Sequence, residues 1–492
     1  MYLPSRVPVD TTFSNTDSSI KFIANRMTPM SLPANQLLQE LETVVGTAGI
    51  LTGKALAGRS AGIWSGGELQ ALALLRPKTT AEVSAVMKLC QAAGQVVVPA
   101  GGMTGLAGGH KSTTNDIVLS TERMNRIESM DARTRTMVVE AGVILQTVQE
   151  TAAQDGLMFA LDLGARASCT IGGNIATNAG GVRVLRYGMM REQVLGLEVV
   201  LVDGTIVSSM FDVLKNNTGY DIRQMFLGSE GTLGIVTRAV LRLHEAPLAI
   251  ETALLAVPSW DKVMELLRFF DAALPGALAA YEVLWRDHYE LNTGPHSSID
   301  PPLETDTPYY VLMDVFISDH EYGRARLEEL LTTALEQDEI ADGVLASSET
   351  ERGRFWQIRE SFEPEQDKFD LIYGYDVSLP LEAMEDYVAT VRARLLERFS
   401  DAALLAYGHI GDGNLHFSIY PGAHRNRDAV DEMVYFPLQA LHGSVSAEHG
   451  IGLEKKAYLK YTRSEAEIDL MRKTKRMMDP GNILNPGKLF DL

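Results

Sequence analysis

Two histidines bracket a glycine turn in His409-Ile-Gly-Asp-Gly-Asn-Leu-His416, and the pair Glu448-His449 follows further along the chain. Two imidazoles and a carboxylate form a donor set that a divalent cation such as Zn²⁺ accepts while keeping one coordination position open. Mn²⁺ and Fe²⁺ tolerate the same set of His409, His416 and Glu448. His449 adds a second base directly beside the carboxylate. Metal set and base together can acidify a substrate hydroxyl and then collect its proton. Asp412 and Asn414 suit turn formation and supporting hydrogen bonds better than ligation. Taken alone, the cluster fits a metal hydrolase as well as an alcohol oxidation.

The elements that must position these groups come from a chain of 492 residues, longer than one ordinary core, so two or three domains are expected. With 46% hydrophobic and 22% charged residues the composition is that of a globular protein, not a disordered one. A formal net charge of −20 argues against nucleic acid or an anionic membrane as partner. The two cysteines, Cys90 and Cys169, imply no disulfide framework and point to a reducing compartment. No apolar run reaches the ~18 residues of a transmembrane segment. Residues 1–30 carry neither a signal nor a transit pattern and read as a disordered extension, with Met27 or Met30 as alternative starts.

Helical spacing of Val83, Val86, Met87 and Cys90 predicts a helix over 80–94 with Cys90 in the core. Strands are expected at 95–99, 116–120 and 136–140. Beyond about residue 250, strand-like segments at 250–256, 279–284, 308–317, 342–347 and 371–378 alternate with amphipathic helices, among them 380–397. That alternation predicts a separate α+β domain, a sheet covered by helices on one side.

Three glycine clusters lie between these strands. The first, Ala100–His110, is neither a P-loop nor a dinucleotide fingerprint: His110 precedes Lys111-Ser112, and a polar stretch follows where a helix should open. What remains is a backbone nest for a pyrophosphate. The second, Gly164–Gly181, is built of small residues that let backbone approach a flat ligand, with Thr170, Asn174 and Asn178 as side-chain partners. The third is Gly228-Ser-Glu-Gly-Thr-Leu-Gly-Ile235. One such cluster is ordinary; three in succession favour a large nucleotide cofactor.

The ordered motifs VPAGGMTGLAGG, CTIGGNIATNAGG, GYDIRQMFLGSEGTLGIV, GHIGDGNLHF and SAEHGIG resemble the FAD-linked D-2-hydroxyacid dehydrogenases of the vanillyl-alcohol oxidase fold group. D-lactate and D-2-hydroxyglutarate dehydrogenases and the glycolate oxidase D-subunit belong there, and the likeness covers residues 45–490. It implies an α+β fold: a two-segment FAD domain at 31–248 and 445–492 around a substrate domain at 249–444 built on an antiparallel sheet. Pro99, Gly101, Gly102, Thr104, Gly105, Leu106, Gly108 and Gly109 would hold the pyrophosphate. Gly164, Ser168, Thr170, Ile171, Gly172, Gly173, Asn174, Thr177, Asn178, Gly180 and Gly181 would line the cofactor. Glu230, Gly231, Gly234, Ile235 and Asn485 would complete its walls, and FAD would be held without a covalent bond to His110, read as a surface histidine. Lys488 is a further candidate to approach the flavin, although its spacing does not establish that. The resemblance also implies hydride transfer to FAD N5, a metal at His409, His416 and Glu448, His449 as base, and Arg359 as the clamp for the substrate carboxylate.

Members that act on D-2-hydroxyglutarate carry a threonine, a lysine and an asparagine where this chain has Glu363, Gly374 and Ser418. With Arg359 and Asn414, these three make up the substrate pocket. A second substrate carboxylate would lose its cation and face Glu363, at a cost on the order of several kcal/mol. A monocarboxylic D-2-hydroxy acid, D-lactate or larger, is therefore expected, and a polyhydroxy or cationic tail is compatible with Glu363. The alternatives are D-2-hydroxyglutarate itself, an O₂-using oxidase of the same fold, a non-catalytic flavoprotein subunit, and a flavin-free metal hydrolase. Electron-transfer flavoprotein, quinone or O₂ would take the electrons. The family further implies a homodimer, with no nucleic acid and no membrane span. The expected compartment is the cytoplasm, peripheral to a membrane, or the mitochondrial matrix in a eukaryote.

Overall fold

A computed structural model describes residues 33–63, 66–319 and 323–492; the expected N-terminal extension, 1–30, lies outside these. The helix Thr80–Ala93 forms where the periodicity places it. Thr79 caps its start by accepting from the Glu82 N–H, and Gly94 ends it in the left-handed conformation. Cys90 is fully buried in the resulting core.

Three larger sheets organise the chain. A mixed four-stranded sheet runs in the order Ile50–Leu51, Ala73–Leu75, Ile117–Ser120, Val97–Ala100. An antiparallel five-stranded sheet runs Ile127–Asp131, Thr136–Glu140, Ile235–Arg242, Val194–Val200, Ile206–Ser209. These two carry the glycine clusters on their connecting loops. The C-terminal stretch returns to the first sheet, where Leu484 bridges Val97 and the Val97 carbonyl accepts from the Asn485 N–H.

The third sheet is antiparallel throughout and has seven strands. Its order is Asp342–Leu345, Ala249–Val257, Tyr309–Ile317, Leu278–Trp285, Ala403–Gly408, Asn414–Tyr420, Tyr373–Ser378. Alternation along each strand sends one set of side chains to each face. Tyr281, Val283, Met313, Val377, Leu415 and Phe417 pack under helices Trp260–Ala273, Gly323–Glu336, Met384–Arg398 and Arg427–Tyr435. The expectation of helices on one side needs correction. The opposite face is partly closed by helices Arg286–Thr293 and Glu349–Glu360, which pack on Leu254, Leu284 and Leu312. Part of that face is left for polar residues, among them Glu282, Asp376, His416 and Ser418.

Two strands, Ala403–Gly408 and Asn414–Tyr420, were not apparent in the sequence, because the His-Ile-Gly-Asp-Gly segment between them reads only as a turn. It is a hairpin connection: Asp412 N–H and Asn414 N–H both donate to the His409 carbonyl. Gly413 makes the reversal at φ +86°, a conformation that few side chains tolerate.

Candidate active site

The hairpin explains why two histidines seven residues apart meet. His409 directly follows the end of one strand and His416 lies on the next, opposite Tyr407 and Asp376 in the register. Their rings stand edge to face with centroids 5.2 Å apart. Glu448 arrives from the C-terminal segment, its Oε2 4.0 Å from His409 Nε2. One ligand atom from each of His409, His416 and Glu448 lies within 4.8 Å of the others. Two imidazoles and a carboxylate converging in this way fit a divalent cation with a position left open.

Two buried carboxylates unnoticed in the sequence hold this arrangement. Glu282, fully buried in the strand Leu278–Trp285, accepts from His409 Nδ1 at 2.7 Å and from Arg359 Nε at 2.8 Å. Burial pushes Glu282 up, yet His409 and Arg359 outweigh it and hold the carboxyl at about 2. A carboxylate on Nδ1 fixes the His409 ring and leaves Nε2 facing the ligand set. Burial lowers His409, but Glu282 carries it up to about 9, so a cation there displaces a proton. His416 goes the other way: burial, then the His409 and Arg359 charges, keep it well below its usual range and neutral.

Asp376 is the second hub. Its Oδ2 accepts from the backbone N–H of Glu448 (3.0 Å) and His449 (3.1 Å) and from Lys455 Nζ (3.3 Å), while Oδ1 accepts from Asn414 Nδ2 (2.9 Å). His449 Nδ1 lies 3.6 Å from the same carboxylate. Burial is the largest influence on His449 and lowers it, so the ring is a neutral base. The signal for both hubs was available: each is an acid inside a strand that is otherwise apolar or aromatic, and a buried acid needs partners.

Arg359 sits on the helix Glu349–Glu360, 7% exposed, with its guanidinium 4.7 Å from the Tyr407 ring centroid and Nη2 3.5 Å from His409 Nε2. Its Nε is held by Glu282, which leaves the outer nitrogens to face the histidine cluster.

The glycine clusters converge on one cleft. Pro99, Gly101, Gly102, Thr104, Gly105, Gly109, Thr170, Gly172, Gly173, Asn174, Thr177, Glu230, Gly231, Gly234 and Ile235 all line it. Met103, Thr121, Cys169 and His449 join them, as does His110, which is half-buried against Gly62 and not a surface residue. The backbone is drawn in closely: a Cβ on Gly102 would lie 2.1 Å from the Ser168 carbonyl. Thr121 Oγ1 and Thr170 Oγ1 are buried without hydrogen-bond partners, as expected where a polar ligand belongs. These walls fit a large nucleotide.

Several residues read as cofactor contacts lie elsewhere. Ile171 is core, on a short helix Ile171–Thr177 that replaces part of the expected loop. Leu106, Gly164 and Ser168 are exposed, and Gly108 is buried at the Lys111–Glu454 pair. Asn178 ends the short helix and accepts from the Arg191 N–H. Gly180 lies against the Glu448 carboxylate and Gly181 against the Asp162 carbonyl, which ties the second cluster to the histidine site. Asn485 donates to the Gly109 and Glu230 carbonyls and so clamps two cleft loops together. Lys488 donates to the Lys111 carbonyl.

The substrate-pocket residues also divide. Ser418 is buried and pairs in register with Gly374, beyond which there is open space. Glu363 does not face them. It is exposed and lines an outer cleft with Arg352, Trp356 and Glu360. The carboxyl group beside Ser418 is Glu365, two residues on, where burial pushes it up to about 7.

Residues 71–209 match a family described as an FAD binding domain, and residues 246–489 match the C-terminal domain of FAD linked oxidases. A D-2-hydroxyglutarate dehydrogenase of Xanthomonas citri pv. viticola is 42% identical over 427 residues, covering 85% of this chain and 89% of that protein. A putative mitochondrial D-lactate dehydrogenase of Schizosaccharomyces pombe is 38% identical over 425 residues, covering 84% and 81%. The fold is shared with 4-ethylphenol oxidase from Gulosibacter chungangensis, with a TM-score of 0.71 at 18% identity over 94% of this chain and 98% of that one.

Proposed function

The chain belongs to the FAD-linked oxidases that include the D-2-hydroxyglutarate dehydrogenases, and we propose that it oxidises a D-2-hydroxy acid to the 2-keto acid, the acid being monocarboxylic on the charges of its pocket. One observation carries the reading: His449 lines the glycine-walled cleft, while its neighbour Glu448 belongs to the ligand set of His409 and His416. A base shared by the two halves couples proton removal to whatever accepts the hydride.

FAD bound in the cleft supplies that hydride acceptor. A divalent cation held by His409, His416 and Glu448 supplies Lewis acidity toward the substrate hydroxyl. The remaining work belongs to side chains. Arg359 orients the substrate carboxylate with its outer nitrogens, its position locked by Glu282 and the Tyr407 ring. His449, neutral before reaction, takes the hydroxyl proton. Asp376 then faces the imidazolium at 3.6 Å and stabilises it. Asp376 also holds the backbone of the 448–449 loop, so ligand and base keep a fixed spacing.

The substrate's second end is assigned from charge. Arg359 is the cation that acts on the Glu365–Ser418 corner, and its Nε is already committed to Glu282. A tail carboxylate there lacks a partner. The 42% identity to a D-2-hydroxyglutarate dehydrogenase favours a second reading, in which that dicarboxylate is the substrate. Anaerobic bleaching of the bound flavin by a panel of D-2-hydroxy acids separates the two. Faster bleaching by D-lactate and its longer monocarboxylic homologues is expected; clear preference for D-2-hydroxyglutarate would transfer the assignment to the second reading.

A further inference from the structure

One carboxyl group beside the site has no role in the proton and hydride steps. Glu365, on the short helix Glu363–Lys368, is 1% exposed, and the hydrogen bond within reach of its carboxyl group comes from the Ser418 hydroxyl. The Ser418 hydroxyl adjoins it, and His288 Nδ1, equally buried and unpartnered, lies 3.8 Å from Oε1. Tyr407 closes the group: its hydroxyl is 3.5 Å from Ser418 Oγ, and its ring packs on His288 with centroids 4.2 Å apart. A buried carboxyl group with so few hydrogen bonds costs stability.

Its location suggests what the cost serves. Ser418 and His416 are alternate residues on the same face of one strand, so Ser418 adjoins the ligand cluster. The strand residue paired with Ser418 is Gly374, which contributes no side chain and leaves room. A carboxyl oxygen accepts a hydrogen bond whether or not the group is ionised. The Ser418 O–H is therefore drawn toward Glu365, the Tyr407 hydroxyl donates to one Ser418 lone pair, and the second lone pair is left without a donor.

We propose, on the hydroxyacid reading above, that Glu365 acts through Ser418 to select substrates whose tail carries a hydrogen-bond donor, a hydroxyl or an ammonium group. Such a tail satisfies the remaining lone pair. A terminal carboxylate brings only acceptors to a corner whose two hydroxyl hydrogens are already taken by Glu365 and Ser418, and it is rejected. An apolar tail is tolerated without being favoured. Glu365 is thus a specificity-setting residue that touches no reacting atom.

The test compares kcat/KM for D-2,4-dihydroxybutyrate, D-2-hydroxybutyrate and D-2-hydroxyglutarate in the flavin-loaded wild type, Glu365→Leu, Glu365→Gln and Ser418→Ala. In the wild type the dihydroxy acid is expected to exceed the dicarboxylate by at least roughly tenfold. Glu365→Leu should collapse that ratio mainly through KM, whereas Glu365→Gln, which keeps an acceptor oxygen, should retain most of it. Ser418→Ala removes the relay at a second position and gives the same collapse if Glu365→Leu does not fold. An unchanged ratio in folded Glu365→Leu or in Ser418→Ala overturns the proposal, as does a wild-type preference for the dicarboxylate. Failure of all three acids to bleach the flavin would instead refute the hydroxyacid reading itself.

Discussion

Replacing His449 with alanine is expected to slow flavin reduction by ~10²–10⁴-fold, the usual contribution of a positioned general base. The loss should fall on the chemical step and not on the fold. What holds the 448–449 loop is backbone: the two N–H groups donate to Asp376, and Lys455 anchors the same carboxylate. Alanine keeps all three contacts. The cleft walls are formed mainly by backbone and small side chains, so FAD should stay bound with an unaltered visible spectrum. Rapid mixing with substrate under anaerobic conditions measures the rate directly. Reduction at the wild-type rate would falsify the role given to His449.

Arg359→Ala should fail in two separable ways. Removing the guanidinium leaves Glu282 buried at full charge with only His409 for a partner, and breaking a buried pair costs about 3–5 kcal/mol. Binding of the substrate carboxylate is lost as well. Arg359→Lys separates the effects, because lysine keeps the charge near Glu282 but not the planar fork. For the lysine variant a roughly hundredfold rise in KM is expected with a smaller shift of the urea midpoint. If Arg359→Lys keeps the wild-type KM, the carboxylate is bound elsewhere.

The sequence disclosed the groups whose spacing is local. His409 and His416 lie across one hairpin, Glu448 and His449 are neighbours, and the glycine clusters announce themselves by composition. Glu282 and Asp376 were hidden because their partners come from other strands: Asp376 meets His416 only through the antiparallel register. Glu363 and Glu365 show the same limit at short range. Two residues apart on one helical turn they point in different directions, and only packing decides that the first meets solvent and the second meets Ser418. The shape of the second glycine cluster was equally illegible. Its Ile171–Thr177 segment becomes a helix because Ile171 and Ile175 fill the core beneath the cleft, a contact composed by distant strands.

The account joins a proton-handling cluster to a flavin cleft, and removing divalent cations from the purified protein tests that joint most directly. Chelator-treated protein should keep its FAD and its yellow colour but no longer bleach with a D-2-hydroxy acid in the absence of oxygen. Adding back Zn²⁺ or Mn²⁺ should restore bleaching in the wild type and leave His416→Ala unrestored. Full-rate bleaching by demonstrably metal-free protein would contradict the assignment of His409, His416 and Glu448 as a ligand set.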